Sequence, residues 1–385
     1  MVPFRHVNGF TPVALFDEQV FGTTGTEEKA YWSHLRSYSE VPSRGMELFK
    51  IYDEDRRAEM WELFRSFVRQ ASNYWEAARQ LNYRSSPLIY YYCFLNLVKA
   101  YLLIHNRDMP AKMAHGMSVL PIDASTGIDC ISVKIADNAK GKSPSKVFAL
   151  LYTTEFSKPV EEKTLSLKCA LSYVYDIGLE FRSRFPELRH CAPFIHRVVA
   201  DNSHMWSICA FPKQINIQKH TTVFEKFFQR FDSVDIKSIG FRYWELFGGS
   251  PSTENSPDHM ECFQTKEEFK NELFQGQFIP VGEKLLFRDC LQPYIQPTYQ
   301  RDDYSGMLFL PPSIESIYPT NELISIYAGM FMLSSLVRYN PMVLDRLLET
   351  KDGLLIDTFL DVCPTKFLRV ISSKIFGAPV LFSPM

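Results

Sequence analysis

Residues 86–105 read Ser86-Pro-Leu-Ile-Tyr-Tyr-Tyr-Cys-Phe-Leu-Asn-Leu-Val-Lys-Ala-Tyr-Leu-Leu-Ile-His105. Ser86 is the expected N-cap and Pro87 suits the first helical position. From Leu88 to Ile104 almost every side chain is apolar or aromatic, and a helix that is apolar all round is buried on all sides. Two strongly polar side chains interrupt it, Asn96 and Lys99, three apart and therefore on one face, with Tyr92 one turn earlier on that face. A buried Lys without a partner is costly, so Lys99 reaches a carboxylate or solvent, or it belongs to a site.

Before this helix, Asp53 is the expected N-cap of a second one, and Trp61, Phe64, Val68, Ala71, Trp75 and Ala78 recur at helical spacing. Arg57, Glu62, Arg65, Arg69 and Arg79 occupy the opposite face. After Pro311-Pro312, Thr320 is the expected cap of a further apolar helix over 321–339, stopped before Pro341. Amphipathic helices follow over 342–349 and 354–376, and a short one is expected over 27–38. Between 117 and 316 the texture is mixed. Strands are expected at 128–136, 147–153, 194–200, 205–211 and 284–291, with a hairpin connection at Asp201–His204. Helices are expected at 164–185 and 222–231, and a loop at Gly248–Asp258. The fold class is therefore α+β, mainly α. One helical bundle is built from 1–116 and 317–385, and a mixed α/β region, 117–316, is inserted between them.

Composition narrows the function classes. A net charge of −2 over 385 residues argues against nucleic-acid binding through bulk charge. Eight scattered cysteines with no CxxC pair point away from a disulfide framework or a zinc site and toward a reducing cytoplasm. No transmembrane span is expected, because the apolar runs 88–104 and 323–337 fall short of about 20 residues. His190, Cys191 and His196 do not complete a metal set, and no cofactor is expected. Aromatic residues make up 14% of the chain, which implies a bulky core.

Several phrases resemble the YaaC-like family of bacterial proteins. They are Gln70-Ala-Ser-Asn-Tyr-Trp75, the helix beginning Ser86-Pro-Leu-Ile-Tyr-Tyr-Tyr, the pair His115-Gly116, and Leu333-Ser-Ser-Leu-Val-Arg-Tyr-Asn-Pro341. The helical arrangement is also similar to the HEPN superfamily, whose bundles often dimerise and include metal-independent ribonucleases of toxin–antitoxin and anti-phage systems. That motif places Arg before His; here seven residues separate Arg107 from His115, and Pro110 interrupts any helix joining them.

If the two apolar helices pack together, Lys99, His115 and Arg338 meet in one hollow, with Asn96, Tyr92, Arg107 and Tyr339 as candidate ligand-binding residues. His115 would work as general acid or base, while Lys99 or Arg338 would stabilise a charged phosphorane. The same set could hold a phosphate or nucleotide. The structural alternative is a buried polar network with Lys99 and Arg338 paired to Asp345 or Asp361. Three functions stay open. One is a binding or effector component of an antiviral defence or stress system, acting through a protein partner, a homodimer, RNA or a nucleotide. The others are a metal-independent endoribonuclease and a purely structural interaction protein.

Overall fold

The protein is described from a computed structural model. It covers residues 21–23, 27–106, 113–123, 127–136, 145–160, 163–188, 190, 192–200, 204–213, 228–229, 231–234, 260–266, 269–270, 296–297, 307–310, 320–377 and 380–382. The chain forms two compact units, one of residues 19–190 and 320–385, the other of 1–18 and 191–319. The helical unit thus runs to His190, whereas the sequence reading places the start of the inserted region at 117. The 117–190 stretch stays with the bundle because its helices, Val147–Phe156, Leu167–Ser172 and Gly178–Arg184, pack on the bundle's helices.

The helices are α1 (Glu27–Glu40), α2 (Pro42–Gly45), α3 (Glu54–Ala78), α4 (Ser86–His105), α5 (Val147–Phe156), α6 (Leu167–Ser172), α7 (Gly178–Arg184), α8 (Glu322–Tyr339), α9 (Pro341–Leu348) and α10 (Lys351–Phe376). The fold is α+β and mainly α. By length and composition α4 could cross a membrane, yet 72% of it is buried inside the protein. Helices α3, α5, α8 and α10 surround it. Ring contacts mark three of those sides. Trp75 of α3 meets Tyr90 edge-on at 5.5 Å, Phe331 of α8 meets Tyr91 at 5.2 Å, and Phe367 of α10 stacks on Phe94 at 3.9 Å. Each such aromatic pair adds about 0.5–1.5 kcal/mol beyond the area it buries.

The ends of the helices follow local chemistry, with two differences from expectation. Asp53 caps α3 by accepting the Arg56 N–H at 2.9 Å, as its position before the apolar stripe suggests. At α4 the cap position is Ser85, not Ser86, and its side chain makes no capping bond. The Ser86 hydroxyl lies buried without a hydrogen-bond partner among the described residues. At α8 the cap is Asn321, not Thr320: its Oδ1 accepts the Ile324 N–H at 2.9 Å. The Tyr52 hydroxyl closes the other end of α4, 2.7 Å from the Leu103 carbonyl and 2.6 Å from that of Asn106.

Two expectations in the middle of the chain are corrected. Residues 147–153, expected as a strand, belong to α5, whose Thr153 and Thr154 hydroxyls donate back to the Ala149 and Leu150 carbonyls at 2.9 Å. Packing against α4 overrides a weak strand propensity. Residues 164–185, expected as one helix, divide into a strand (Lys163–Ser166), α6, a 3-10 turn (Tyr175–Ile177) and α7. Ser166 restarts the helix by accepting the Cys169 N–H at 3.1 Å, and Ser172 ends it by donating to the Cys169 carbonyl at 2.7 Å.

In the other unit, Ala192–Ala200 and His204–Pro212 pair antiparallel, with Ala200 opposite Met205, as a hairpin connection requires. Met307–Leu310 extends this sheet on one side, and Met260–Thr265 followed by Phe231–Val234 extends it on the other. The helix expected at 222–231 falls mostly outside the described residues, as do all of 248–258 and 284–291. The described cysteines are free thiols.

Buried charges tie the helical unit together. Glu155 on α5 accepts hydrogen bonds from Tyr101 of α4 at 3.0 Å and from Asn321 at the start of α8 at 2.6 Å, and pairs with Lys374 of α10 at 2.8 Å. Lys366 of α10, 5% exposed, contacts Asp176 and lies 2.6 Å from Glu322 of α8. Loss of water pushes Glu322 up to about 8 and holds Lys366 well below the ordinary amine value. Their direct contact opposes that neutralisation. Breaking a buried pair on one side leaves an uncompensated charge. Lys366→Met should therefore cost about 3–5 kcal/mol in chemical denaturation. The double variant Lys366→Met, Glu322→Gln should recover part of the loss. A single-variant cost below about 1 kcal/mol, typical of exposed pairs, would contradict this role.

Candidate functional site

Two antiparallel rungs between α3 and α4 form one wall of the candidate site. On α4, Tyr92 and Lys99 are seven residues apart, two helical turns or about 10 Å. On α3, Phe67 and Tyr74 have the same spacing. The Lys99 ammonium sits over the Phe67 ring, 5.5 Å from its centroid, and Tyr74 faces Tyr92 at 5.6 Å. All four side chains are half-buried, neither core nor open surface. The opposite wall is α8, whose Tyr327, Phe331 and Arg338 recur at helical spacing.

His115 is held between these walls by the chain on either side of it. Met113–Ala114 pairs with Ser145–Lys146, and Met117–Val119 pairs with Ser132–Ile135, so the residue lies between two short strands. Its carbonyl accepts the Phe148 N–H at 3.2 Å. Gly116 follows at φ +83°, and a Cβ there would lie 2.8 Å from Lys146 Cβ, so a side chain at 116 would be strained on both counts. The imidazole packs near Phe331 at 6.2 Å, and its Nδ1 lies 2.6 Å from the Tyr91 hydroxyl.

That contact decides how the ring can act. Burial raises Tyr91 well above the ordinary phenol value, so the group keeps its proton. The Tyr327 hydroxyl is its second partner, farther away at 3.5 Å. Tyr91 donates to Nδ1 when the ring carries its proton on Nε2, and accepts from Nδ1–H in the other tautomer. Burial, then the positive charges of Lys99 and Arg338, hold His115 below the usual imidazole value, which favours the neutral ring. Its Nε2 has no partner among the described residues.

Arg338 is exposed, and its guanidinium donates to the Tyr92 hydroxyl at 2.9 Å and the Tyr339 hydroxyl at 3.3 Å. The hydrogen bond to Tyr339, more than any other contact, raises its already high pKa. Burial lowers Lys99. The acids proposed as partners for these cations are engaged elsewhere: Asp345 pairs with Arg84 at 2.7 Å, and Asp361 accepts from the Tyr83 hydroxyl. Among the described residues no carboxylate pairs with Lys99 or Arg338.

The sequence reading and the geometry can now be compared residue by residue. Arg338 contacts Tyr92 and Tyr339 directly, and the charges of Lys99 and Arg338 both act on His115. Asn96 does not join them; it is buried, and its amide donates to the Tyr92 carbonyl of its own helix at 2.8 Å. Arg107 lies outside the described residues. Tyr91, Tyr74, Phe67 and Phe331 were not singled out as site residues, and only the helical spacing of Phe67 with Tyr74 would have suggested them. His190 is buried beside the Phe181 ring at 5.1 Å, while Cys191 and the His196 side chain lie outside the described residues. Among the described residues no group of three or more His, Cys, Asp and Glu is placed to hold a metal ion.

A family model described as YaaC-like Protein matches residues 47–375. The match covers most of the chain, which belongs to that family. No curated protein and no solved structure matches it.

The electrostatics give a direct check. Lys99→Met removes a positive neighbour and eases protonation of His115, so its midpoint should rise toward the ordinary value. Imidazole nitrogen shifts followed by NMR titration would read this. An unchanged midpoint would place Lys99 too far from the ring to matter.

Proposed function

We propose that the hollow binds a phosphate-bearing aromatic ligand, a nucleotide or the end of a single-stranded RNA, and that the protein acts as a binding component. The observation that carries this is the pair of cations, Lys99 and Arg338, which have no acid partners among the described residues and whose charges both hold the His115 imidazole below its usual value. A phosphate would receive charge-assisted hydrogen bonds from both cations and, in the tautomer that carries the proton there, a further one from His115 Nε2–H. Tyr74, Tyr92 and Phe67, half-buried along one wall, offer ring faces for a base, and such stacking is worth about 1–3 kcal/mol per base.

A ribonuclease reading has one observation in its favour, a neutral histidine beside two cations. As a general base the ring would act through Nε2 in its Nδ1–H tautomer, with Tyr91 accepting from Nδ1–H and turning its own proton toward Tyr327 across 3.5 Å.

Calorimetric titration with adenosine 5′-monophosphate should give saturable binding that weakens with added salt. Arg338→Gln should weaken it about tenfold or more, in line with about 1.5–3 kcal/mol for a charge-assisted contact. Single-stranded RNA incubated with the protein in EDTA should be recovered intact. Cleavage that disappears in His115→Ala would replace the binding reading with the ribonuclease one. No binding of either probe would remove both.

A further inference from the structure

Arg338 lies against two tyrosine rings of different exposure. Its guanidinium carbon is 5.6 Å from the centroid of the half-buried Tyr92 ring and 5.4 Å from that of Tyr339, and it donates to both hydroxyls, at 2.9 Å and 3.3 Å. From Tyr92 the series of rings continues to Tyr74, 5.6 Å away on α3. Tyr339, the last residue of α8, is 68% exposed, and among the residues whose exposure is described no other Phe, Tyr or Trp is so open. A lone exposed tyrosine is ordinary. This one is held by a cation that no carboxylate among the described residues neutralises, so an open ring stands beside uncommitted positive charge.

The groups in contact therefore run half-buried ring, cation, exposed ring. A mononucleotide has one base and one phosphate, and so matches only the first two. In two nucleosides joined by a phosphodiester the phosphate is the middle group, with a base on either side of it. Resting on the reading that Arg338 takes a phosphate, we infer that the ligand is a single-stranded oligonucleotide of at least two nucleotides, whose second base stacks on Tyr339. The phosphodiester oxygens accept from the Arg338 guanidinium, one base lies along Tyr92 and Tyr74, and the next covers the open part of the Tyr339 ring. Such stacking is tolerant of base identity, so the site discriminates by the number of linked nucleotides more than by their sequence. The net charge of −2 offers little to a long strand, which fits a short contact of this kind.

Adenylyl-(3′,5′)-adenosine and adenosine 3′-(methyl phosphate) carry the same single phosphodiester charge and differ by one nucleoside. With the full-length protein, calorimetric titration should show the dinucleotide binding about fivefold or more tighter. Tyr339→Ala should bring the ratio of the two affinities close to one, whereas Tyr339→Phe, which keeps the ring, should keep the ratio. Thermal melts followed by circular dichroism check that both variants are folded. Equal affinities in the parent protein, a ratio that survives Tyr339→Ala, or a Phe variant that behaves as the Ala variant each overturn the inference. A dimer that Tyr339→Ala dissociates, with equal affinities for the two probes, assigns the ring to a second copy of the chain and overturns it as well. In any of these cases the phosphate reading stands alone as long as the methyl ester or adenosine 5′-monophosphate binds. If none of the three probes binds, both fall.

Discussion

A helix with no polar side cannot face water, and that constraint organises the helical unit. Helix α4 is enclosed by α3, α5, α8 and α10, so segments from both ends of the chain must close around it. Its aromatic side chains set the contacts: Tyr90 against α3, Tyr91 against α8, Phe94 against α10. Truncating such a buried ring typically costs about 3–5 kcal/mol, a large part of a typical domain's stability. Apart from the buried Ser86 hydroxyl, the polar groups discussed near α4 are either paired within the fold or placed at its margin.

That division separates structure from function. Glu155 gathers donors from α4, α8 and α10, while Lys366 bridges α10 to Glu322 and Asp176, and Asn96 turns to its own backbone. These groups are satisfied internally and hold helices in register. Lys99 and Arg338 keep donors that no described residue takes, and half-buried rings, Phe67 and Tyr92, lie against them. Unused positive groups of this kind suit an anionic guest.

Much of this was legible in the sequence where a single period dominates. The stripe of α3, the all-apolar character of α4 and α8, and the Asp53 cap follow from spacing and side-chain type alone. So does the meeting of Arg338 with Tyr92, once α4 and α8 are taken to pack together. The sequence was less informative where tertiary contacts decide. Residues 147–153 carry an apolar run that fits a strand or a buried helix, and packing against α4 chooses the helix. Ser166 and Ser172 divide the 164–185 stretch through side-chain bonds that no periodicity reveals. Asn321 displaced Thr320 as the cap because its amide also reaches Glu155. The bond from Tyr91 to His115 joins residues 24 apart, and nothing in the local pattern marks it.

The central claim is that α4 and α8 present their uncommitted cations, with His115, to one shared hollow. An experimental density map of the protein crystallised with inorganic phosphate tests it most directly. The account predicts a phosphate within hydrogen-bond reach of Lys99 Nζ, His115 Nε2 and the Arg338 guanidinium. A map with Lys99 and Arg338 on separate surfaces, or with the hollow closed by a carboxylate and no anion bound, would contradict it.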